Sequence, residues 1–237
     1  MNLRVSALAL AALATAAVAG ASDLTPPAGS GAAPAPPWRF VGLPAQALPA
    51  TRFTVVTLDG VRVLRVEADR SYGNLLHPLP VGTAAGSLSW RAQVVLPPQG
   101  TDLTARSGDD AALRVCALFD MPLAQMPMVE RQMLRIARSR SKDLLPTATL
   151  CYVADAALPP GSVVVSPYTR RVRSVVVRAP VGQWQTERHD LANDFLRVFG
   201  DEATRVPAVI AILIGADADN TGSRGLAHVN EIHHAAP

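Results

Sequence analysis

Two carboxylates and an amide cluster directly after an apolar run near the end of the chain. Asp217, Asp219 and Asn220 follow the run 209–214. If the extended backbone continues, Asp217 and Asp219 project to one face, because strand side chains two residues apart share a face. Such carboxylates can hold Ca²⁺, accept hydrogen bonds from sugar hydroxyls, or pair with an arginine. The structural alternative is an Asx-rich turn in which Asn220 and Thr221 satisfy their own backbone.

Arg114 is the cation that those carboxylates could meet. It has apolar neighbours on both sides in a strand-like run, and Asp109 and Asp110 precede it. A guanidinium does not lose its proton, so one that lies on a sheet face among apolar residues requires an acid partner. We therefore predict that Arg114 pairs with a carboxylate of the 217–219 loop.

Familiar catalytic and metal-binding motifs are absent from the sequence. It contains no Gly-x-Ser-x-Gly elbow, no His-Glu-x-x-His, no phosphate-binding glycine loop before a helix and no Cys-x-x-Cys. If the protein is a hydrolase, its acid and base candidates are carboxylates, namely Asp109, Asp110, Asp217 and Asp219.

The two cysteines lie in separate strand-like runs. Cys116 is within 113–119, and Cys151 is within 148–153. Adjacent strands could bring them close enough for a disulfide, which an exported protein can form. Two buried thiols acting as small hydrophobic side chains are the alternative.

The first 37 residues predict where the protein works. A basic start, an apolar run over 5–19 and the small residues Ala17 and Ala19 predict a secretory signal peptide over residues 1–21. The run is shorter than the roughly 20 residues of a membrane span, so we expect no integral membrane insertion. Residues 22–37 are rich in Pro and Ala and predict a disordered leader. The protein is thus expected to be periplasmic or secreted.

Residues 38–237 predict a single β-sandwich domain. Nine short apolar runs are separated by Pro, Gly, Asn and Asp, which is typical of a sandwich or barrel. Asp59 and Gly60 join two of these runs and predict a tight hairpin. We expect a mainly β fold, a two-sheet antiparallel jelly roll of the galactose-binding-like type. The formal net charge of +3 is too small to indicate nucleic-acid binding.

Two helices are predicted as insertions between strands. Residues 127–142 place Val129, Met133 and Ile136 on one face, which we expect to pack on the sandwich, and basic residues opposite. The basic side is expected to be solvated; contact with anionic lipid or polysaccharide is the alternative. Residues 190–199 predict the second helix, with Asp190 as its N-cap and Gly200 as its C-terminal stop.

Several blocks of sequence, taken in order, resemble a bacterial family known as domain of unknown function 3047. The resemblance extends from about Trp38 to Ile232 and implies an exported, single-domain, β-rich protein without an established activity. This chain has Ala154 and Glu231 where the family more often has Trp and Asp. A more distant similarity to galactose-binding jelly rolls, which include carbohydrate-binding modules, is one of fold. The blocks include 88–91, 108–115, 148–153, 167–169, 182–184, 194–195, 199–200 and 217–222.

Together these features predict a non-catalytic binding protein for carbohydrate or cell-envelope glycan. In such sites aromatic rings stack on sugars, and Asp, Asn and Arg bind hydroxyls. The alternatives are an envelope-polymer hydrolase and a structural envelope protein that binds another protein. No cofactor is predicted apart from Ca²⁺ at Asp217 and Asp219, and the sequence leaves the oligomeric state open. The stacking candidates are Trp90, Trp184 and Tyr168, and the polar candidates are Arg114, Asp217, Asp219 and Asn220.

Overall fold

The structure is a computed structural model that describes residues 24–43, 45–140 and 145–237. The predicted signal peptide lies outside these ranges. The described residues form twelve strands, two α-helices and a short 3₁₀ helix over Leu123–Gln125. The strands are β1 Arg39–Val41, β2 Arg52–Leu58, β3 Val61–Asp69, β4 Tyr72–Pro78, β5 Ser87–Leu96, β6 Ala111–Phe119, β7 Ala148–Ala154, β8 Val163–Val165, β9 Val172–Val177, β10 Trp184–Asp190, β11 Val209–Asp217 and β12 Arg224–Ala235; the helices are α1 Met128–Arg140 and α2 Leu191–Phe199.

The strands form two sheets that face each other. One sheet has seven strands in the order β1-β4-β11-β6-β7-β9-β8, and the other has five in the order β10-β5-β12-β3-β2. The predicted mainly β jelly-roll sandwich is confirmed. One pairing departs from the antiparallel expectation, because β7 and β9 are parallel. The chain passes from β7 to the edge strand β8 and then turns back, so β9 enters beside β7 in the same direction.

The core lies between the inner faces of the sheets. The seven-stranded sheet contributes Val115, Phe119 and Tyr152, and the five-stranded sheet contributes Leu64 and Leu88, all almost fully buried. Alternation along β6 explains this arrangement, because residues 113, 115, 117 and 119 point inward. Burial of each large apolar side chain contributes about 1.5–3 kcal/mol relative to exposure.

The hairpin between β2 and β3 has the predicted turn. Asp59 and Gly60 both have positive φ, 50° and 80°. A type I′ turn requires positive φ at both central residues and matches the twist of the flanking strands. The turn fixes the register from Leu58 opposite Val61 to Arg52 opposite Glu67.

Helix α2 has the predicted start. The Asp190 carboxylate accepts hydrogen bonds from the backbone N–H groups of Ala192 and Asn193, at 3.0 and 3.1 Å. Its apolar stripe, which includes Leu191 and Phe195, is buried in the core. The helix therefore closes one side of the sandwich.

Helix α1 is present, but the predicted orientation is wrong. Val129, Met133 and Ile136 are exposed instead of packed on the sandwich. The opposite side is held by ion pairs of 2.8 Å, one from Glu130 to Arg171 and one from Arg138 to Asp120. No helix within the described ranges is long and apolar enough to cross a membrane.

Three strands have no counterpart in the sequence prediction: β1, β4 and β8. Of these, β4 matters most, because it lies between β1 and β11 inside the seven-stranded sheet. Its sequence, which begins Tyr72-Gly73-Asn74 and ends at Pro78, lacks the alternation that indicates a strand. Pairing with β11 over seven residues stabilises it in spite of its composition.

Residues 24–37 pack against the sandwich, although composition predicts a disordered leader. Leu24 is buried in the core. The Thr25 N–H donates to Nε2 of His77 at 3.1 Å, and Nε1 of Trp38 donates to the Thr25 carbonyl at 2.6 Å. The composition of the segment does not show that a single leucine is buried or that its backbone forms hydrogen bonds with distant residues, so it predicts disorder.

Candidate functional site

A groove of about 520 Å³ crosses the outer face of the seven-stranded sheet, which is the face turned away from the five-stranded sheet. Arg114, Cys116 and Leu118 alternate along β6 onto this face and line the groove. Its volume is within the roughly 300–1,000 Å³ of small-molecule sites. The groove is therefore the strongest candidate for a binding site in the described part of the chain.

One end of the groove is polar. We call this end the polar pole and define it as Asp109, Arg114, Asp217, Asp219 and Asn220, all of which line the groove. It forms where β6 begins and β11 ends, because these two strands are antiparallel neighbours. Four of its five residues are candidates that the sequence analysis named for ligand binding.

Arg114 connects the two acidic segments of the polar pole. Its Nη2 lies 2.7 Å from Oδ1 of Asp109 and 3.4 Å from Oδ1 of Asp217. The predicted Arg114–Asp217 pair is confirmed, but the shorter ion pair is to Asp109. The Arg114 side chain is only 13 % exposed. Burial alone would lower the pKa of Arg114, but the adjacent Asp217 and Asp109 raise it, so the guanidinium stays charged.

Asp217 and Asp219 are carboxylates in an unfavourable environment. Burial raises the pKa of Asp217 to about 7, with a contribution from nearby carboxylates, against the opposing effects of Arg114 and the Ala111 N–H. That N–H donates to Oδ1 of Asp217 at 2.8 Å. Burial, followed by the charge of Asp110, raises the pKa of Asp219. Oδ1 of Asp219 is buried and has no hydrogen-bond partner among the described residues.

Asp110 holds the 217–222 loop, which carries Asp219 and Asn220 of the polar pole. Its carboxylate accepts hydrogen bonds from the backbone N–H groups of Asn220 and Thr221, at 3.2 and 2.7 Å, and from the Thr221 hydroxyl at 2.6 Å. The loop is thus held across the sheet by a residue 110 positions earlier, and not by an Asx turn closed on itself. Three accepted bonds leave Asp110 a structural role.

Tyr168 forms a wall above the polar pole. Nδ2 of Asn220 donates to the Tyr168 hydroxyl at 2.5 Å and to the Arg106 carbonyl at 2.6 Å. The Arg106 guanidinium lies 5.2 Å from the centre of the Tyr168 ring. These contacts hold the ring upright while half of the residue remains exposed to solvent.

Among the polar groove residues that sequence reasoning missed are Tyr72 and Asn74 on β4. Nδ2 of Asn74 donates to the Tyr72 hydroxyl at 3.1 Å. The signal that could have indicated them is Gly215, a glycine at the end of an apolar strand. A Cβ at Gly215 would lie 2.3 Å from Oδ1 of Asn74, so the glycine gives Asn74 room to reach across β11.

The rest of the groove has an aliphatic floor. Leu76, Leu213, Cys116 and Cys151 form one row across β4, β11, β6 and β7, and Leu118 lies two residues further along β6. We call these five residues the apolar floor. Cys116 and Cys151 are directly opposite each other and form a disulfide with an S–S distance of 2.08 Å.

The two tryptophans proposed as stacking platforms do not line the groove. Trp90 points into the core, where it packs against Tyr152 and His189. Trp184 belongs to β10 of the five-stranded sheet, with the Arg91 guanidinium 5.1 Å from its ring centre. The structure therefore separates both from the polar pole, and Tyr168 is the stacking candidate that meets it.

Three carboxylates come close enough to suggest a cation. Oxygens of Asp110, Asp217 and Asp219 lie within 4.8 Å of one another. Ca²⁺ requires six to eight oxygen ligands. Asp110 already accepts three hydrogen bonds, and Asp217 shares Arg114 with Asp109. These contacts leave fewer carboxylate oxygens than the six to eight ligands of Ca²⁺, and we assign no metal to the cluster.

The fold and the groove define a β-sandwich protein with a ligand-sized groove on one sheet. The chain belongs to the family described as "Protein of unknown function (DUF3047)", whose profile matches residues 36–233. No curated protein matches the chain.

Solved structures with some similarity to this chain are carbohydrate-active proteins. TmCBM61, solved with β-1,4-galactotriose, is 7 % identical over 85 % of this chain and 90 % of its own, with a TM-score of 0.36. The xyloglucanase domain of NopAA from Sinorhizobium fredii, solved with cellobiose, is 9 % identical over 81 % and 92 %, with a TM-score of 0.42. The endo-1,4-β-glucanase CelB2 is 14 % identical over 84 % and 93 %, with a TM-score of 0.42. At these values the ligands and activities of those proteins are not transferred to this one.

Proposed function

We propose that this protein is a non-catalytic binding protein that holds a carbohydrate or cell-envelope glycan in the groove of the seven-stranded sheet. The observation that carries the proposal is the meeting of Tyr168 with the polar pole at one end of a groove of about 520 Å³. A sugar ring can stack on an aromatic face while carboxylate, amide and guanidinium groups bind its hydroxyls. The pole has both acceptors and donors for this purpose.

The arrangement of the carboxylates favours binding over hydrolysis. A glycosidase requires one carboxyl group on each side of the scissile bond. Here Asp109 is paired with Arg114, and Asp110 is fully used in holding the 217–222 loop. The opposing observation is Asp217, whose pKa of about 7 would suit a general acid. Hydrolysis of a glycan polymer is therefore the second candidate.

We also propose that the chain is exported, on the basis of the basic start and apolar run of residues 1–21. N-terminal sequencing of the protein from an expressing bacterium should show cleavage after Ala19 or Ala21. Recovery of the cytoplasmic chain with Met1 intact would contradict export.

A glycan-array screen with the protein lacking its signal peptide, in the presence of Ca²⁺ and then of a chelator, tests the binding proposal. The array glycan that binds best is then titrated calorimetrically. Tyr168→Ala and Asp219→Ala should each weaken binding about tenfold or more, as expected for residues at the centre of a site. The matched control is Trp184→Ala, an aromatic truncation on the other sheet, which should leave affinity unchanged.

Three outcomes would contradict the proposal. Absence of binding to every glycan on the array would contradict carbohydrate recognition. Equal loss in Tyr168→Ala and Trp184→Ala would move the site away from the groove. Release of shortened products, abolished by Asp217→Asn, would replace binding with hydrolysis.

A further inference from the structure

The groove has two chemically different halves on one continuous surface. The polar pole lies at Arg114, and the apolar floor begins two residues further along the same strand, at Cys116. From Arg114 to Leu118 the strand covers about 13 Å at roughly 3.3 Å per residue. A ligand that fills the groove must therefore be polar at one end and apolar along the other.

The floor does not have the character of a sugar platform. Among the described residues that line the groove there is no tryptophan, and the aromatic rings, those of Tyr72 and Tyr168, belong to the polar half. The floor is composed of branched aliphatic side chains and a disulfide, and Thr149, opposite Leu118, is a polar side chain beside it. Such a surface lacks the flat face on which a sugar ring stacks, but it packs well against a flexible hydrocarbon chain.

The walls of the apolar half are also aliphatic. Val41 packs against the floor from the β1 side, and Leu145 and Pro146, which follow the α1 region, border it at the far end. Leu145 forms a partly exposed rim there. A hydrocarbon chain would cover this rim and remove it from water, which is the driving force for such binding.

The charge of the polar pole selects the kind of head group. Three carboxylates, Asp109, Asp217 and Asp219, face a single guanidinium, that of Arg114. An anionic head group would meet net repulsion here. Oδ1 of Asp219 is buried without a hydrogen-bond partner among the described residues, so it needs a donor from the ligand. An uncharged head group rich in hydroxyls supplies such donors.

We infer that the ligand of the groove is an uncharged glycolipid-type amphiphile, with its sugar at the polar pole and its alkyl or acyl chain on the apolar floor. The inference rests on the proposed function and names the class of glycan that the site accepts. It predicts that sugar and chain each contribute to affinity, because each half of the groove binds one part of the same molecule.

The test is calorimetric titration with n-alkyl β-D-glucosides and β-D-maltosides from hexyl to dodecyl, kept below their micellar concentrations. Affinity should rise about threefold to fourfold for each added methylene until the chain exceeds the floor. Maltose and glucose alone should bind at least 100-fold more weakly than the dodecyl compounds. Dodecyl sulfate and dodecyl phosphate, with the same chain and an anionic head, should bind at least tenfold more weakly than dodecyl maltoside.

Two variants locate the chain. Leu145→Asp places a charge at the apolar rim and should reduce the gain in affinity per methylene at least twofold without loss of folding, since the position is partly exposed. Val81→Asp is the matched control, because Val81 is an exposed valine outside the groove. It should leave the whole series unchanged. Asp219→Ala should weaken the glycosides and leave the gain per methylene intact.

The outcomes separate the inference from the proposed function. If oligosaccharides bind in a Tyr168-dependent way but affinity does not depend on chain length, the amphiphile is wrong and glycan binding stands. If dodecanol and dodecyl maltoside bind equally, the sugar contributes nothing, and both the head-group assignment and the proposed function fail. If the chain-length dependence survives in Leu145→Asp as it does in Val81→Asp, the chain does not lie in the groove and the inference is overturned.

Discussion

Each sheet carries an ion-pair cluster on its outer face, and the two clusters contain arginine and carboxylate in opposite proportions. On the five-stranded sheet Glu67 meets three arginines, Arg52 at 2.8 Å, Arg65 at 3.1 Å and Arg224 at 3.5 Å, the last of which also pairs with Asp69. On the seven-stranded sheet several carboxylates meet a single arginine, Arg114. The arginines around Glu67 reach into solvent, with Arg52 67 % exposed, whereas Arg114 is 13 % exposed.

This difference changes the chemistry of the carboxylates. Burial acts to raise the pKa of Glu67, but hydrogen bonds from Arg65 and Arg52 lower it on balance. Burial raises the pKa of Asp217, and its one arginine does not compensate. Where arginines outnumber carboxylates and are solvent-exposed, as around Glu67, each carboxylate has a cation partner. Where buried carboxylates outnumber arginines, as at the polar pole, hydrogen-bond donors of a ligand can bind to the carboxylates.

The largest expected contrast comes from removing one arginine on each face. Arg114→Met should lower the free energy of unfolding by about 3–5 kcal/mol, because it leaves Asp109 and Asp217 buried beside each other without a cation. Arg52→Met should cost about 0–1 kcal/mol, since exposed pairs contribute little. Urea unfolding of both variants measures the difference. Similar losses would show that the two networks do not differ as we describe.

The disulfide beneath the groove provides the next test. Replacing Cys116 and Cys151 by alanine should lower the free energy of unfolding by about 3–4 kcal/mol, because the bridge closes a loop with a sequence separation of 35 and restricts the unfolded chain. A reducing agent should shift the native protein by a similar amount and leave the double variant unaffected. Two titratable thiols in the native protein before reduction would contradict the bridge.

The pH dependence of stability should have opposite signs on the two faces. The folded protein holds a proton on Asp217 up to a pKa of about 7, well above the unfolded value of 3.8. The folded state therefore binds more protons than the unfolded state between about pH 4 and 7, and stability falls as pH rises through that window. Thermal unfolding of Asp217→Asn should show a flatter profile there than the native protein.

Glu67→Gln gives the smallest effect and the matched control. The pKa of Glu67 is lowered on folding from 4.5. Its contribution is present above that value and is lost as pH falls below it. The variant should differ from the native protein by about 1 kcal/mol or less at neutral pH, and by still less in acid. A loss of stability with rising pH that persists in Asp217→Asn would assign the effect to another group.

Sequence patterns predicted those parts of the site that depend on alternation and charge. The Arg114–Asp217 pair follows because an arginine on an apolar strand needs an acid and the late loop supplies one. Asp109 was not assigned to Arg114, because the segment before β6 turns back on itself through the pairing of Asp102 with Gly108. Such a local return has no periodic signal.

Other features depend on which strands and helices contact each other in the folded protein, and a sequence pattern within one element does not predict that. Alternation indicates that Trp184 faces one side of its strand, but not which sheet the strand joins. The orientation of α1 depends on contacts outside the helix, because Leu134 packs against the core and Glu130 and Arg138 form ion pairs there. The strand β4 is held by neighbours on both sides and has little propensity of its own.

The placement of β11 has a consequence for when the groove can exist. This strand is the second to last in the chain, yet it lies between β4 and β6 and brings Asp217 to the N–H of Ala111, 106 residues earlier. Until β11 is inserted, β4 and β6 have unpaired edges, and pairings between such distant segments form slowly. The groove is therefore among the last features to be completed as the chain folds. A bound ligand would report that folding has finished, and a fragment that ends before β11 would lack the site.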